Sequence, residues 1–249
     1  MLWKELLDAL WSQKVITIMP NVLITGSNRG LGLEWCRQYA EAGWRVFATC
    51  RFPAQAEELQ RLEIEHNTLT THRLDVTDPD QIDALAKELA DNPIDLLINN
   101  AGVYFEKYIR PEQATDYEAW AHTFRVNTMG ALRVSRAFLD HIRRGQKRLI
   151  VAISSHMASI AEIESPGSYY YRSSKAALNA AMKGFSLELR PQQIGVLLLH
   201  PGWVQTRMGG PDAPLSTQES VEGMRSIVDA FTLADNGRFL RYDSSEIPW

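Results

Sequence analysis

Val22-Leu23-Ile24-Thr25 is a short β-favouring apolar run, and it passes directly into Gly26-Ser27-Asn28-Arg29-Gly30-Leu31-Gly32 and then a helix-forming stretch over 33–42. A strand, a glycine-rich turn and a helix in that order build a phosphate site, because free backbone N–H groups and the positive end of the helix face the anion. Gly26, Gly30 and Gly32 permit the tight turn and the close approach of backbone to a pyrophosphate. Ser27, Asn28, Arg29 and Leu31 complete its wall. A glycine motif alone is weak evidence; the strand before it and the helix after it give this one its weight.

The second strand-like run, 45–49, ends at Cys50-Arg51. At this place in a dinucleotide-binding unit an acid bonds the ribose 2′-hydroxyl of NAD, whereas an arginine accommodates the 2′-phosphate of NADP. Arg51 therefore points to NADP(H), with Arg29 as the second jaw of a guanidinium clamp suited to bidentate pairing with phosphate. The competing reading is two solvated surface arginines. A third run at 69–74 leads into Asp75-Val76-Thr77-Asp78-Pro79, where Asp78 or Thr77 caps a helix over 79–90 with Pro79 in its first turn. A fourth, 94–98, runs into the turn-forming Asn99-Asn100-Ala101-Gly102. Further strands are expected at 148–153, 195–199 and 238–242, and helices at 116–141 and 219–233.

At 249 residues, 45% apolar and 22% charged, the chain suits one large α/β domain over residues 21–249. A formal charge of −4 gives no basic footprint for nucleic acid or an anionic membrane. No apolar run approaches the ~20 residues needed to cross a bilayer. Cys36 and Cys50 lack metal-ligand spacing and are too few for a secreted disulfide framework, so no metal is expected and a cytoplasmic location is. Residues 1–20 set Trp3, Leu6, Leu7, Leu10 and Trp11 at helical spacing, an amphipathic extension without the basic start or cleavage pattern of a signal peptide. Because Met19-Pro20 stands directly before the first strand, a misassigned start at Met1 is the other reading of this segment.

Tyr169-Tyr170-Tyr171-Arg172-Ser173-Ser174-Lys175 carries one pair at a spacing of four, Tyr171 and Lys175. In a helix these share a face. An ammonium beside a phenol favours phenolate and moves its pKa from about 10 toward neutrality, which makes it a usable general acid or base. Taken alone, the same pattern describes an ordinary helix start with aromatic anchors.

The spacing Thr25-Gly26-x-x-x-Gly30-x-Gly32, with Asn99-Asn100-Ala101-Gly102 and Tyr171-x-x-x-Lys175, resembles the short-chain dehydrogenase/reductase family, and the resemblance runs from Val22 onward. It implies a single Rossmann-like, doubly wound domain with a seven-stranded, mostly parallel sheet in the order 3-2-1-4-5-6-7. Carried over residue by residue, it sets Asp75 and Val76 beside the adenine and Asn100, Ala101 and Gly102 under the cofactor. Asn127, in Arg125-Val126-Asn127, falls in a proton relay. Ser155 takes the catalytic serine position, with Ser154 as the alternative. Lys175 also holds the nicotinamide ribose, and Pro201, Gly202, Val204 and Thr206 cover the nicotinamide side. The fifteen residues between Ser155 and Tyr171 exceed the common spacing and resemble a subgroup of sniffer-type carbonyl reductases and C-factor-like proteins. The implied function is NADP(H)-dependent reduction of a small aldehyde, ketone or quinone with Tyr171 as proton donor, in a homodimer or homotetramer. The alternative is an NADP(H)-binding signalling or scaffold protein with incidental redox activity.

Overall fold

Seven strands form one sheet in the computed structural model, which describes residues 19–108 and 114–249. They are β1 (Asn21–Thr25), β2 (Arg45–Cys50), β3 (Leu69–Arg73), β4 (Leu96–Asn99), β5 (Leu149–Ile153), β6 (Gly195–His200) and β7 (Phe239–Arg241). Their order is β3-β2-β1-β4-β5-β6-β7 and every neighbouring pair is parallel, the topology the sequence implied. The amphipathic reading of the extension lies, through residue 18, outside the described residues.

Strands covered on both faces need apolar side chains at every position, which is why β4, β5 and β6 read as nearly unbroken Leu, Ile and Val. Successive side chains alternate between two cores. On one face Val22 and Ile24 pack with Trp35 and Tyr39 of α1 (Gly30–Glu41) and with Met224 and Val228 of α8 (Thr217–Ala230). On the other, Leu23 and Phe47 pack with Ile82 of α3 (Pro79–Glu88), Phe138, and Leu178 and Met182 of α7 (Tyr169–Leu189). Between them in the chain lie α2 (Glu57–Glu65), α4 (Tyr117–Phe124), α5 (Ala131–Ala137) and α6 (Leu139–Arg144). Asp78 caps α3, accepting the N–H groups of Asp80 and Gln81, with Pro79 at its first position.

The helix expected over 116–141 is broken. A wide π turn, Arg125–Gly130, separates α4 from α5, a feature that recurs at functional sites. Thr123 turns its hydroxyl back to the Ala119 carbonyl just before the wide turn, and Asn127 is held by groups outside the helix. Such back-bonding loosens a helix locally. Because all strands run the same way, the segments after β1, β4, β5 and β6 emerge at one edge of the sheet, where open α/β sheets bind ligands.

Candidate active site

The glycine turn is braced by a segment 75 residues away in sequence. Asn100 donates its amide N–H groups to the carbonyls of Thr25 at 2.9 Å and Gly26 at 3.1 Å, while Thr25 Oγ1 accepts the N–H groups of Asn100 and Ala101. Gly26 has φ +70°, and a Cβ there would stand 2.9 Å from Ala101 Cα. At Gly32 a Cβ would overlap the Gly26 carbonyl oxygen. Backbone thus occupies the space that any side chain would need, leaving a cradle open toward the start of α1, the arrangement a pyrophosphate requires.

Ser27, expected as a dinucleotide contact, makes its bonds within the protein. It is fully buried, with its N–H given to the Thr49 carbonyl and its hydroxyl to the Ile24 carbonyl, so it braces the turn from inside. Val204 is likewise buried and pairs with Leu215, and its carbonyl accepts the Thr206 hydroxyl at 3.4 Å. Thr206 packs over Gly30, where a Cβ would lie 3.4 Å from Thr206 Cγ2. Asp75 spends one carboxylate oxygen on the N–H and hydroxyl of Thr77.

Arg29 flanks the start of α1. Burial, then the facing guanidiniums of Arg207 and Arg51, pull it below the ordinary arginine range. Among the described residues none of these three forms an ion pair. Three like charges gathered without a carboxylate suit an anion carrying several negative charges.

On α7 the residues Tyr171, Ser174 and Lys175 share the buried face. Ser155 lies close enough to the Tyr171 phenol to lower its pKa, and its Oγ accepts the Met157 N–H at 3.2 Å, while the neighbouring Ser154 gives its hydroxyl to Asn179 Oδ1 at 2.6 Å and is committed there. Lys175 Nζ donates to the Ile153 carbonyl at 2.7 Å and stands 5.9 Å from the centre of the Tyr171 ring. Gly102 completes the group, since a Cβ there would lie 3.4 Å from Asn127 Oδ1 and 3.6 Å from Lys175 Nζ.

Here the structure corrects the electrostatic expectation. Burial pushes the Tyr171 phenol up to about 12, with Ser155 holding it down and Tyr104 adding to the rise. Burial likewise brings Lys175 down to about 8. In the chain alone desolvation outweighs the helical spacing, because Lys175 faces a carbonyl and the flank of the ring. Asn127 is buried in the π turn: Oδ1 accepts the Val103 N–H, and Nδ2 donates to the Val103 carbonyl and Ser174 Oγ. One lone pair of Oδ1 remains for a water.

Besides Glu106, three residues at this site escaped the sequence reading. Tyr104 stacks on Tyr171 with ring centres 4.4 Å apart and bonds Ser168 through its hydroxyl. Lys107 donates to the Met208 carbonyl. Arg207 was overlooked although it directly follows Thr206. For the first two no sequence signal exists, because each partner lies at least 64 residues away. Among the described residues no His, Cys, Asp and Glu side chains gather to hold a metal ion.

Beside Ser155, the His156 ring lies 5.5 Å from that of His200. His200 is 7% exposed with its Nδ1 unpartnered, and burial, then His156 and Arg241, press it down to about 3. The unfolded chain therefore takes up this proton first as pH falls. The stability His200 contributes is complete above ~6.5 and is lost progressively toward about 3. Between pH 7 and pH 5 wild type should lose about 2 kcal/mol more than His200→Gln in urea titrations. Equal losses in the two proteins would refute this.

The family model for short chain dehydrogenase matches residues 20–214, and the chain belongs to that family of oxidoreductases. Within it the chain is of the sniffer and C-factor kind. It is 44% identical to C-signal of Myxococcus xanthus over 166 residues, 67% of this chain and 99% of that one. Carbonyl reductase Sniffer of D. melanogaster superposes with a TM-score of 0.85 at 32% identity, covering 93% of this chain and all of that one. The NADPH-bound carbonyl reductase from chicken fatty liver gives 0.83 at 34% identity over 93% of this chain and 99% of the other. Among the described residues no helix is long and apolar enough to cross a membrane.

Proposed function

We propose that this chain is an NADP(H)-dependent carbonyl reductase that converts an aldehyde, ketone or quinone to an alcohol, with Tyr171 as proton donor. The observation that carries the reading is the meeting of Ser155, Tyr171 and Lys175 at the sheet edge that also bears the glycine cradle. The cradle and the guanidiniums of Arg29, Arg51 and Arg207 fit a phosphorylated dinucleotide, and the NADPH-bound relative supports NADP(H). Gly26, Asn28, Gly30, Leu31 and Gly32 would line its pyrophosphate, with Asp75 and Val76 toward the adenine and Pro201, Gly202 and Thr206 toward the nicotinamide.

NADPH, when bound, would supply the hydride for the carbonyl carbon. Ser155 donates a hydrogen bond to the carbonyl oxygen as negative charge develops there. Tyr171 then gives its proton to that oxygen. Burial keeps the phenol protonated across the physiological range, so the proton is in place to be given. Lys175, charged below about 8, stabilises the tyrosinate left behind and binds the nicotinamide ribose. Asn127 offers its remaining lone pair to a water that returns a proton to Tyr171. A homodimer or homotetramer in the cytoplasm accompanies this reading.

One observation favours a second reading, a dinucleotide-binding signalling protein: the 44% identity to C-signal. Mixing purified protein with NADPH and a panel of aldehydes, ketones and quinones separates the two. Carbonyl-dependent loss of NADPH absorbance is the expected result. Binding of NADPH without turnover on any member of the panel would favour the second reading, since a fold hosts more than one function.

A further inference from the structure

Helix α7, which carries Tyr171 and Lys175, is not capped by its own sequence. The first N–H groups of a helix have no intrahelical partner, and an N-cap side chain normally takes those of the second and third residues. Ser168 holds the N-cap position but sits in the left-handed region (φ 55°, ψ 34°) and makes no side-chain bond to the helix. Its hydroxyl is bonded to Tyr104 instead. The vacant role is filled from the segment after β4. Glu106, in the short helical turn Phe105–Tyr108, accepts the N–H of Tyr170 at 2.9 Å and that of Tyr171 at 3.0 Å, one on each carboxylate oxygen.

Its neighbours in the chain hold the same region. Tyr104 stacks on the Tyr171 ring, and Lys107 ties the segment to the Met208 carbonyl in the loop beyond Thr206. Across the helix, the Tyr170 phenol oxygen accepts the Asp116 N–H at 2.7 Å, and its ring stacks on Trp120, whose indole N–H donates to Ser173. The first turn of α7 is thereby gripped from both sides.

We propose that Glu106 is a positioning residue for the reaction: a carboxylate from a remote segment that fixes the first turn of α7 and so sets the Tyr171 phenol against Ser155. The inference rests on the reading of Tyr171 as proton donor. One of the two bonds is to the backbone of the reacting residue itself, so its loss frees that residue directly. Two parallel bonds fix rotation as well as distance, and a negative charge at this end of a helix is favoured by the helix dipole. Burial raises the Glu106 carboxyl above the usual range while the two N–H bonds oppose that rise.

A double-mutant cycle tests this. Glu106→Gln keeps one acceptor oxygen but turns an NH2 toward the second N–H. It should lower kcat for NADPH-dependent carbonyl reduction about ten- to a hundredfold, the scale of a reacting group displaced by a fraction of an ångström to an ångström. NADPH affinity should change less than about twofold, as for an interaction realised only in the transition state. With Tyr171→Phe already present, the same substitution should change the residual single-turnover rate less than about twofold. Glu106→Asp keeps the charge one methylene shorter and should fall between; it replaces the glutamine variant in the cycle if that variant does not fold. Equal losses with and without Tyr171, while Tyr171→Phe alone is slow, would overturn the positioning role and leave the proton-donor reading intact. Tyr171→Phe as fast as wild type would overturn both.

Discussion

Replacing Tyr171 with phenylalanine should lower kcat for carbonyl reduction by about a thousandfold, within the range general acid catalysis supplies, and leave NADPH affinity within about twofold. The phenol lies beside Ser155, is flanked by Tyr104 and Lys175, and is buried enough to stay protonated, so it carries a proton to give. Phenylalanine preserves the ring and its stacking on Tyr104 while removing only that oxygen. Comparison of pre-steady-state NADPH oxidation in the two proteins checks the expectation. Equal rates would remove Tyr171 from the chemistry.

The second large effect concerns the cofactor. Arg51→Asp should weaken NADPH binding by about a hundredfold and NADH binding by less than about threefold, measured by titrating each dinucleotide against protein fluorescence. Arg51 is near enough to Arg29 to lower its pKa, and neither forms an ion pair among the described residues, which suits binding of an anion. An aspartate there repels a 2′-phosphate and accepts a bond from a 2′-hydroxyl instead. An unchanged preference would mean that the arginines are solvated surface charges.

What could be read before the structure was what local chemistry dictates. The strand, glycine turn and α1 are one continuous stretch whose conformational demands are set by Gly26 and Gly32 themselves. The cap of α3 is likewise written in consecutive residues, Asp78 and Pro79. Strand order came from resemblance, since nothing within β4 states that it pairs with β1. The electrostatics of Tyr171 and Lys175 were misjudged because a spacing of four gives proximity but not burial, and burial decided the sign. For Ser27 the position in the turn was legible, but the inward direction of its hydroxyl was not. Tyr104, Glu106 and Lys107 act on residues 64 to 101 positions away, and only the folded sheet edge brings them there.

Apolar side chains are exposed on the segments around α7. The long approach from Ser155 to Tyr171 leaves Ile160, Ile163 and Tyr169 exposed on one side, and Phe105, Trp203 and Met208 are exposed on neighbouring segments. Ala161 in that approach donates to the Trp249 carbonyl, so the segment is tied back to the strand β7 side of the sheet.

The most direct measurement is transfer of label. With NADPH carrying deuterium at both hydrogen positions of the reactive nicotinamide carbon and an accepted aldehyde or ketone, the product alcohol should carry one deuterium on the former carbonyl carbon, read by mass spectrometry. An alcohol without the label, or NADPH that binds and is never consumed with any carbonyl, would contradict the assignment of this site as a carbonyl reductase.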